Sequence, residues 1–270
     1  MVLESTEIRE AEKRWGLRLR RAQELCDRHQ AAGTALRFYA VVLTFQMEVA
    51  RSSNSRAKAG IPLRAQIDSL PMVAVLPSLL AISIKDGPDT LRAAAQHLQE
   101  AGETGWRELL ESAIGARPHN LTRADDFFAR ACLQPVAEHL QLQIPKNTDY
   151  SQRACPLCQG LPQMSVLRPE AEGASRSLVC SFCLNEWSYR RLECPWCGEE
   201  DKEKLPRYSA QEVAHVHVEA CDTCKRYLKA VDMTIDGLAV PLVDEAALAV
   251  LDVWASDHGY QKIVRNLIGF

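Results

Sequence analysis

No stretch of the 270-residue sequence reaches the roughly 18 to 20 uninterrupted apolar residues that a helical membrane span requires. The opening "MVLESTEIREAEKRW" also lacks the apolar core of an export signal. A cytoplasmic chain with no membrane span is the resulting expectation. A basic excess is missing too: 32 Lys and Arg stand against 35 Asp and Glu, for a formal net charge of -3. Without that excess the counterion release that drives nucleic-acid binding is weak, so nucleic acid is not an expected partner. Neither a Gly-rich phosphate loop, nor a Gly-x-Ser-x-Gly elbow, nor a His-Glu-x-x-His pair occurs, and the chain is expected not to be an enzyme. Cysteine is scarce in the first half, where Cys26 and Cys132 stand alone among more than half of the residues.

What that first half holds is helical periodicity. Ile8, Ala11, Trp15, Leu19, Ala22 and Cys26 recur every three or four positions, as do Leu36, Tyr39, Leu43, Met47 and Ala50, each set marking one buried helix face. Breaks are predicted at "AAG" before Thr34, over Ser52 to Gly60, at "DGP" from Asp86 to Pro88, and at "GARPHN" from Gly115 to Asn120. Thr122 with Asp125 three positions later predicts a capping box, opening a helix that is kinked or interrupted at Pro135. Cys26 and Cys132 lie on these apolar faces and read as small buried hydrophobes.

The other eight cysteines fall in four Cys-x-x-Cys pairs, "CPLC", "CSFC", "CPWC" and "CDTC", between Cys155 and Cys224. A single such pair suits a redox dithiol, a metal knuckle or half of a disulfide. The set of four is more specific. The gap from Cys158 to Cys180 nearly equals that from Cys197 to Cys221, and each runs from a Cys-Pro-x-Cys turn through a polar excursion and a β-like run to a closing Cys-x-x-Cys. Two such turns bring four thiolates to one ion, so the repeat predicts two sites: Cys155, Cys158, Cys180 and Cys183 at one, Cys194, Cys197, Cys221 and Cys224 at the other. A cross-braced arrangement, first pair with third and second with fourth, satisfies the same chemistry, and the repeat favours sequential pairing. Two metal ions are therefore expected, with iron and zinc both open. Each would supply on the order of 10 kcal/mol toward folding a segment with few large apolar residues.

His215 and His217 alternate along a presumed strand, which suggests a further metal site, but with eight thiolates already sufficient they are read as a surface or packed pair. Arg190, Arg191, Lys202, Lys204, Arg207, Lys225, Arg226 and Lys229 are interleaved with Glu193, Glu199, Glu200, Asp201, Glu203, Glu219 and Asp222, and are read as a solvated mixed surface. Ala247, Leu248, Leu251, Trp254 and Ala255 place a closing helix at about 243–258. The fold class is α plus a small amount of β: a helical domain over 1–148, then a metal-binding domain over 149–270 with zinc-ribbon-like modules at about 153–190 and 191–235.

The succession "CPLCQGLP", "VCSFCLNEW", "LECPWCG", "EACDTCKRYLK" and "DHGYQK", most specific over about 153–262, resembles the formate dehydrogenase accessory protein family, FdhE. That resemblance implies two tandem rubredoxin-like modules after a helical domain, all eight paired cysteines as metal ligands, and iron as the favoured metal. It implies a non-catalytic maturation chaperone that binds the catalytic subunit of respiratory formate dehydrogenase in the cytoplasm, with self-association left open. Glu186 and Trp187 match the family's Glu-Trp, and Tyr227, Leu228 and Lys229 its Tyr-Leu-Lys. A rubredoxin-like electron carrier and a zinc-ribbon adaptor of transcription or translation are the competing readings. The family's knuckles place glycine directly after the second cysteine, whereas here only Gly198 does so, and Gln159, Leu184 and Lys225 take the other places. Gly160 and Asn185, one position on, are expected to absorb part of that turn.

Overall fold

A computed structural model describes residues 2–29, 32–115, 121–147, 149–171 and 173–269, with no side-chain description for 2–9 and 11. Six α-helices come first among the described residues: α1 (Val2–Arg28), α2 (Gly33–Ser52), α3 (Leu63–Asp68), α4 (Leu76–Asp86), α5 (Asp89–Ile114) and α6 (Arg123–Gln141). The breaks before Thr34, after Ser52 and at Gly87–Pro88 fall where the breaker residues predict them, while most of the break at Gly115–Asn120 lies outside the described residues. Thr122 and Asp125 form the capping box, side chain to backbone in both directions. α6 runs on through Pro135 to Gln141 without interruption.

α6 is the pole of this half, with nearly every residue from Phe127 to Gln141 buried. A helix buried on all sides must satisfy its polar side chains internally. Glu138 takes two hydrogen bonds from Arg18 of α1, and Gln46 of α2 donates to the Ala131 carbonyl. Cys132, within the same apolar core, is fully buried, and burial pushes its thiol far above the ordinary range.

The second half carries β1 (Pro162–Glu170), β2 (Gly173–Cys180), β3 (Glu186–Ser188), β4 (Arg207–Ser209), β5 (Val216–Cys221), β6 (Arg226–Asp232) and β7 (Gln261–Lys262). Strand order is β3-β2-β1-β6-β5-β4, with β7 also on β6. Each repeat is an antiparallel three-stranded unit, and the two join through a parallel pairing of β1 with β6. The sequence reading of a polar excursion after the first knuckle misses β1, which is buried over Pro162 to Leu167 because it lies in the middle of the joined sheet.

The closing helix is two helices, α7 (Pro241–Ala247) and α8 (Ala249–Asp257), separated at Leu248 with φ -101° and ψ 52°. They cover one sheet face, where Val216, Val218, Tyr227 and Val231 meet Leu248, Leu251 and Ala255. Lys229 departs from the surface reading: it is fully buried on that face. Its ammonium donates to Asp252 and to the Glu245 carbonyl, Lys262 of β7 bonds Glu245 and Asp252, and Tyr227 donates to Asp252 at 2.8 Å. Burial lowers the Lys229 pKa against the opposing pull of Glu245.

Two lysines and two carboxylates in a dry site hold one another, so removing one member strands a charge. Lys229→Met is expected to lower unfolding free energy by about 3–5 kcal/mol, measured by urea denaturation of the metal-loaded chain. A change below about 1 kcal/mol would mean that the network contributes no more than an exposed ion pair.

Candidate metal centres

Each knuckle is a tight turn closed by its own backbone. The Cys155 amide donates to the Gly160 carbonyl, that of Cys180 to Asn185 and that of Cys194 to Glu199, while the amides of Gln159 and Gly198 return to the carbonyls of Cys155 and Cys194. Such a turn needs a left-handed residue directly after the second cysteine. Gln159, Leu184, Gly198 and Lys225 all have positive φ, at 59°, 58°, 80° and 54°, and the three that are not glycine are the only non-glycine residues of that kind among those described. The expected relief at Gly160 and Asn185 therefore does not occur: the turn keeps its conformation and places the strain on the residue itself, at about 1–2 kcal/mol each.

The amides still reach sulfur without glycine there. Phe182 and Trp196 donate to Cys180 and Cys194 at 3.4 Å. Gly160 has a different role, since a Cβ built on it would lie 2.9 Å from the Cys180 sulfur and 3.2 Å from that of Cys158.

The turns bring the eight sulfurs into two groups by sequential pairing. Cys155, Cys158, Cys180 and Cys183 lie within 4.8 Å of one another, as do Cys194, Cys197, Cys221 and Cys224. Short Sγ–Sγ separations are 3.6 Å for Cys155 and Cys183, 3.4 Å for Cys158 and Cys180, 3.7 Å for Cys194 and Cys224, and 3.6 Å for Cys197 and Cys221. A disulfide would need about 2.05 Å. A tetrahedron with metal–sulfur bonds of about 2.3 Å has edges of about 3.8 Å, so both groups fit a four-thiolate ion. Both clusters are able to hold metal ions. Contacts from Cys158, Cys180 and Cys183 drive the Cys155 thiol far below its ordinary range, while burial drives Cys180 far above. Four sulfurs this close share negative charge at low cost only around a cation.

The two centres differ in surroundings. All four cysteines of the first are buried and belong to the main apolar core together with the helices. Helical side chains hold its knuckles: Arg64 donates to the Cys158 carbonyl at 2.8 Å and to the Ala113 and Ile114 carbonyls at the end of α5, with its guanidinium 4.1 Å from the Phe182 ring centroid. Arg130 and Gln134 of α6 both donate to the Ser181 carbonyl. In the second centre Cys197 is exposed and Cys224 half-buried.

The motif residues outside the knuckles are structural. Glu186 pairs with Arg168 of β1 through two 2.8 Å bonds, and the Trp187 indole donates to the Gln152 carbonyl. His215 and His217 are packed. The His215 Nε2 lies 3.1 Å from Asp244 and groups with Asp236, where the Arg21 guanidinium already bonds both carboxylates and supplies the cation. His217 is fully buried, 3.7 Å from Glu219. Sequence reasoning missed Arg64, Arg130 and Gln134, and no local signal marks a polar helix residue as the partner of a knuckle distant in sequence.

Family models match two stretches of the chain, residues 154–191 as "FdhE, central domain" and 192–268 as "FdhE, C-terminal domain". Similar proteins include a protein FdhE homolog of Aquifex aeolicus, 28% identical over 76% of this chain and 73% of that protein. Another is a homolog of Haemophilus influenzae, 27% identical over 64% of this chain and 59% of that one. In fold the chain is similar to the crystal structure of the FdhE protein from Pseudomonas aeruginosa, with a TM-score of 0.74, 24% identity and 94% of each chain covered.

Metal analysis is expected to give two ions per chain, and a chelator should empty the second centre first. Timed alkylation with mass spectrometry would then label Cys197 and Cys224 ahead of Cys155, Cys158, Cys180 and Cys183; labelling in the reverse order would contradict the difference in burial. Gly160→Ala is expected to weaken the first centre by about tenfold or more, the scale of a perturbed ligand shell, and to leave the second unchanged in a competition titration against a chelating dye.

Proposed function

We propose that this chain, whose residues 154–191 and 192–268 match the FdhE central and C-terminal domain models, is an FdhE-type cytoplasmic accessory protein of respiratory formate dehydrogenase, binding the catalytic subunit while that enzyme is assembled. The geometry that supports this best is the pair of four-thiolate groups, each with all four tetrahedral corners drawn from the protein. A centre closed in this way is a structural or electron-relay element and offers substrate no open coordination position. The chain is accordingly read as a binding protein that turns over nothing itself. Iron is the metal this reading favours and zinc the one to test against it, since sulfur geometry does not separate them.

A cleft of about 890 Å³ lies between the helices and three of the knuckles, lined by Arg64 and Arg130 on the helical side and by Leu161, Phe182 and Trp196 on the other. Leu161 and Trp196 are exposed there, and an aromatic side chain half out of water is the kind of group that anchors a protein interface. This exposed pair makes the cleft the docking surface that our reading assigns to the catalytic subunit.

The test is capture of the catalytic subunit by the full metal-loaded chain, with formate dehydrogenase activity of membranes from a deletion strain as the second readout. Trp196→Ala and Leu161→Asp are expected to weaken capture about tenfold or more, the effect of truncating an interface anchor, at an unchanged two ions per chain. Wild-type activity in the deletion strain would remove the assignment. Capture that survives both substitutions would move the interface elsewhere.

A further inference from the structure

The sheet face turned away from α7 and α8 carries a second concavity, a cavity of about 400 Å³ between the two repeats. Its apolar floor is Leu167 of β1, Leu228 of β6 and Ile263, and two ligands of the second centre, Cys194 and Cys221, form part of its wall. Four arginines line it from four segments: Arg176 on β2, Arg191 in the loop after β3, Arg207 on β4 and Arg226 on β6. Distant segments converging four like charges on one apolar hollow is an arrangement that folding alone does not favour.

Two of the four are neutralised within the protein. Arg176 holds Glu219 at 2.6 Å, an oxygen that Ser165 also bonds, and Arg207 reaches Asp232 at 3.3 Å. Glu193, the other carboxylate of the lining, accepts from the Tyr189 hydroxyl. That leaves Arg191 and Arg226, for which no carboxylate lies within 4.0 Å among the described residues. Arg191 donates only to the Ala174 carbonyl, at 3.3 Å. Arg226 lies 4.5 Å from the Trp196 ring centroid, a stacking that fixes the plane of its fork and leaves its N–H edge free.

A volume in the range of small-molecule sites, an apolar floor and a few convergent donors define a ligand with an anionic head and an apolar body. We propose that this cavity binds an organic carboxylate, its head held by Arg191 and Arg226 and its body resting on Leu167, Leu228 and Ile263 beside the second metal centre. The inference does not rest on the accessory role, and its cavity is distinct from the cleft that faces the helices, although Trp196, on which Arg226 stacks, also lines that cleft. A carboxylate of this kind is carried either by a free small acid or by an acidic side chain between apolar neighbours on a peptide.

The experiment is isothermal titration of the full, metal-loaded chain with phenylacetate, with the neutral phenylacetamide, and with the blocked tripeptide acetyl-Leu-Asp-Phe-amide. Phenylacetate or the tripeptide is expected to bind and the amide to bind at least tenfold more weakly; the tighter of the two carboxylates names the source. Arg191→Gln and Arg226→Gln should each weaken binding at least fivefold at unchanged metal content, and Arg107→Gln, an exposed residue of α5 outside the cavity, should not. Arg191 is exposed, so its variant keeps the test decisive if Arg226→Gln fails to fold. The proposal is overturned if neither carboxylate binds, if the amide binds equally well, or if both arginine variants bind like the wild type.

Discussion

Four sulfurs held within 4.8 Å of one another set the terms for the rest of this protein. Thiolates at that separation repel unless a cation sits among them, so folding and metal binding become one equilibrium. The first group makes this coupling wide. It lies inside the main core, in contact with residues of the helical half, and its knuckle carbonyls are taken by Arg64, Arg130 and Gln134. Without the ion, those three side chains would face a turn that has no reason to stay closed. The second group has an exposed cysteine, and none of its four sulfurs belongs to that core.

The knuckle turns show where the free energy of a bound ion would be spent locally. Three of four knuckles put a side chain where the backbone is left-handed, at Gln159, Leu184 and Lys225. The strain of about 1–2 kcal/mol per residue is small against the order of 10 kcal/mol that a four-cysteine ion contributes, so glycine is dispensable there while the metal is bound. Gly160 is under another constraint, the space occupied by two sulfurs. A hydrogen-bonding demand can be met by any residue that tolerates the angle, but a volume filled by ligand atoms admits only a hydrogen.

Joining the repeats through a parallel β1–β6 pair produces a sheet with two working faces. One face is closed by α7 and α8 over the Lys229, Lys262, Glu245 and Asp252 network, where each charge is acceptable only because the others are present. The other face retains a hollow with two arginines that have no carboxylate within 4.0 Å among the described residues. The contrast between a satisfied charge cluster and an unsatisfied one on opposite sides of the same strands separates what holds the fold from what is left for a ligand.

Most of the candidate site was legible in the chain. Four Cys-x-x-Cys pairs with near-equal gaps pointed to two four-cysteine groups and favoured the sequential pairing in which the fold brings them together, because a knuckle is a local turn and the repeat carries its own register. Helix breaks and the Thr122–Asp125 cap were legible for the same reason: they depend on neighbours within a few residues. The charged residues between the knuckles were not. Lys229 and Arg226 are three positions apart on one strand, yet one is fully buried in an ion network and the other lines a cavity, since alternation sends them to opposite faces and only long-range packing decides what covers each. The same holds for β1, which reads as a polar excursion until β6 lies beside it, and for Arg64, whose carbonyl partners come from two distant segments. Local chemistry was thus determined by the sequence itself, while the tertiary structure decided the dielectric surroundings and partners of each charge, which depend on segments that meet only when the chain is folded.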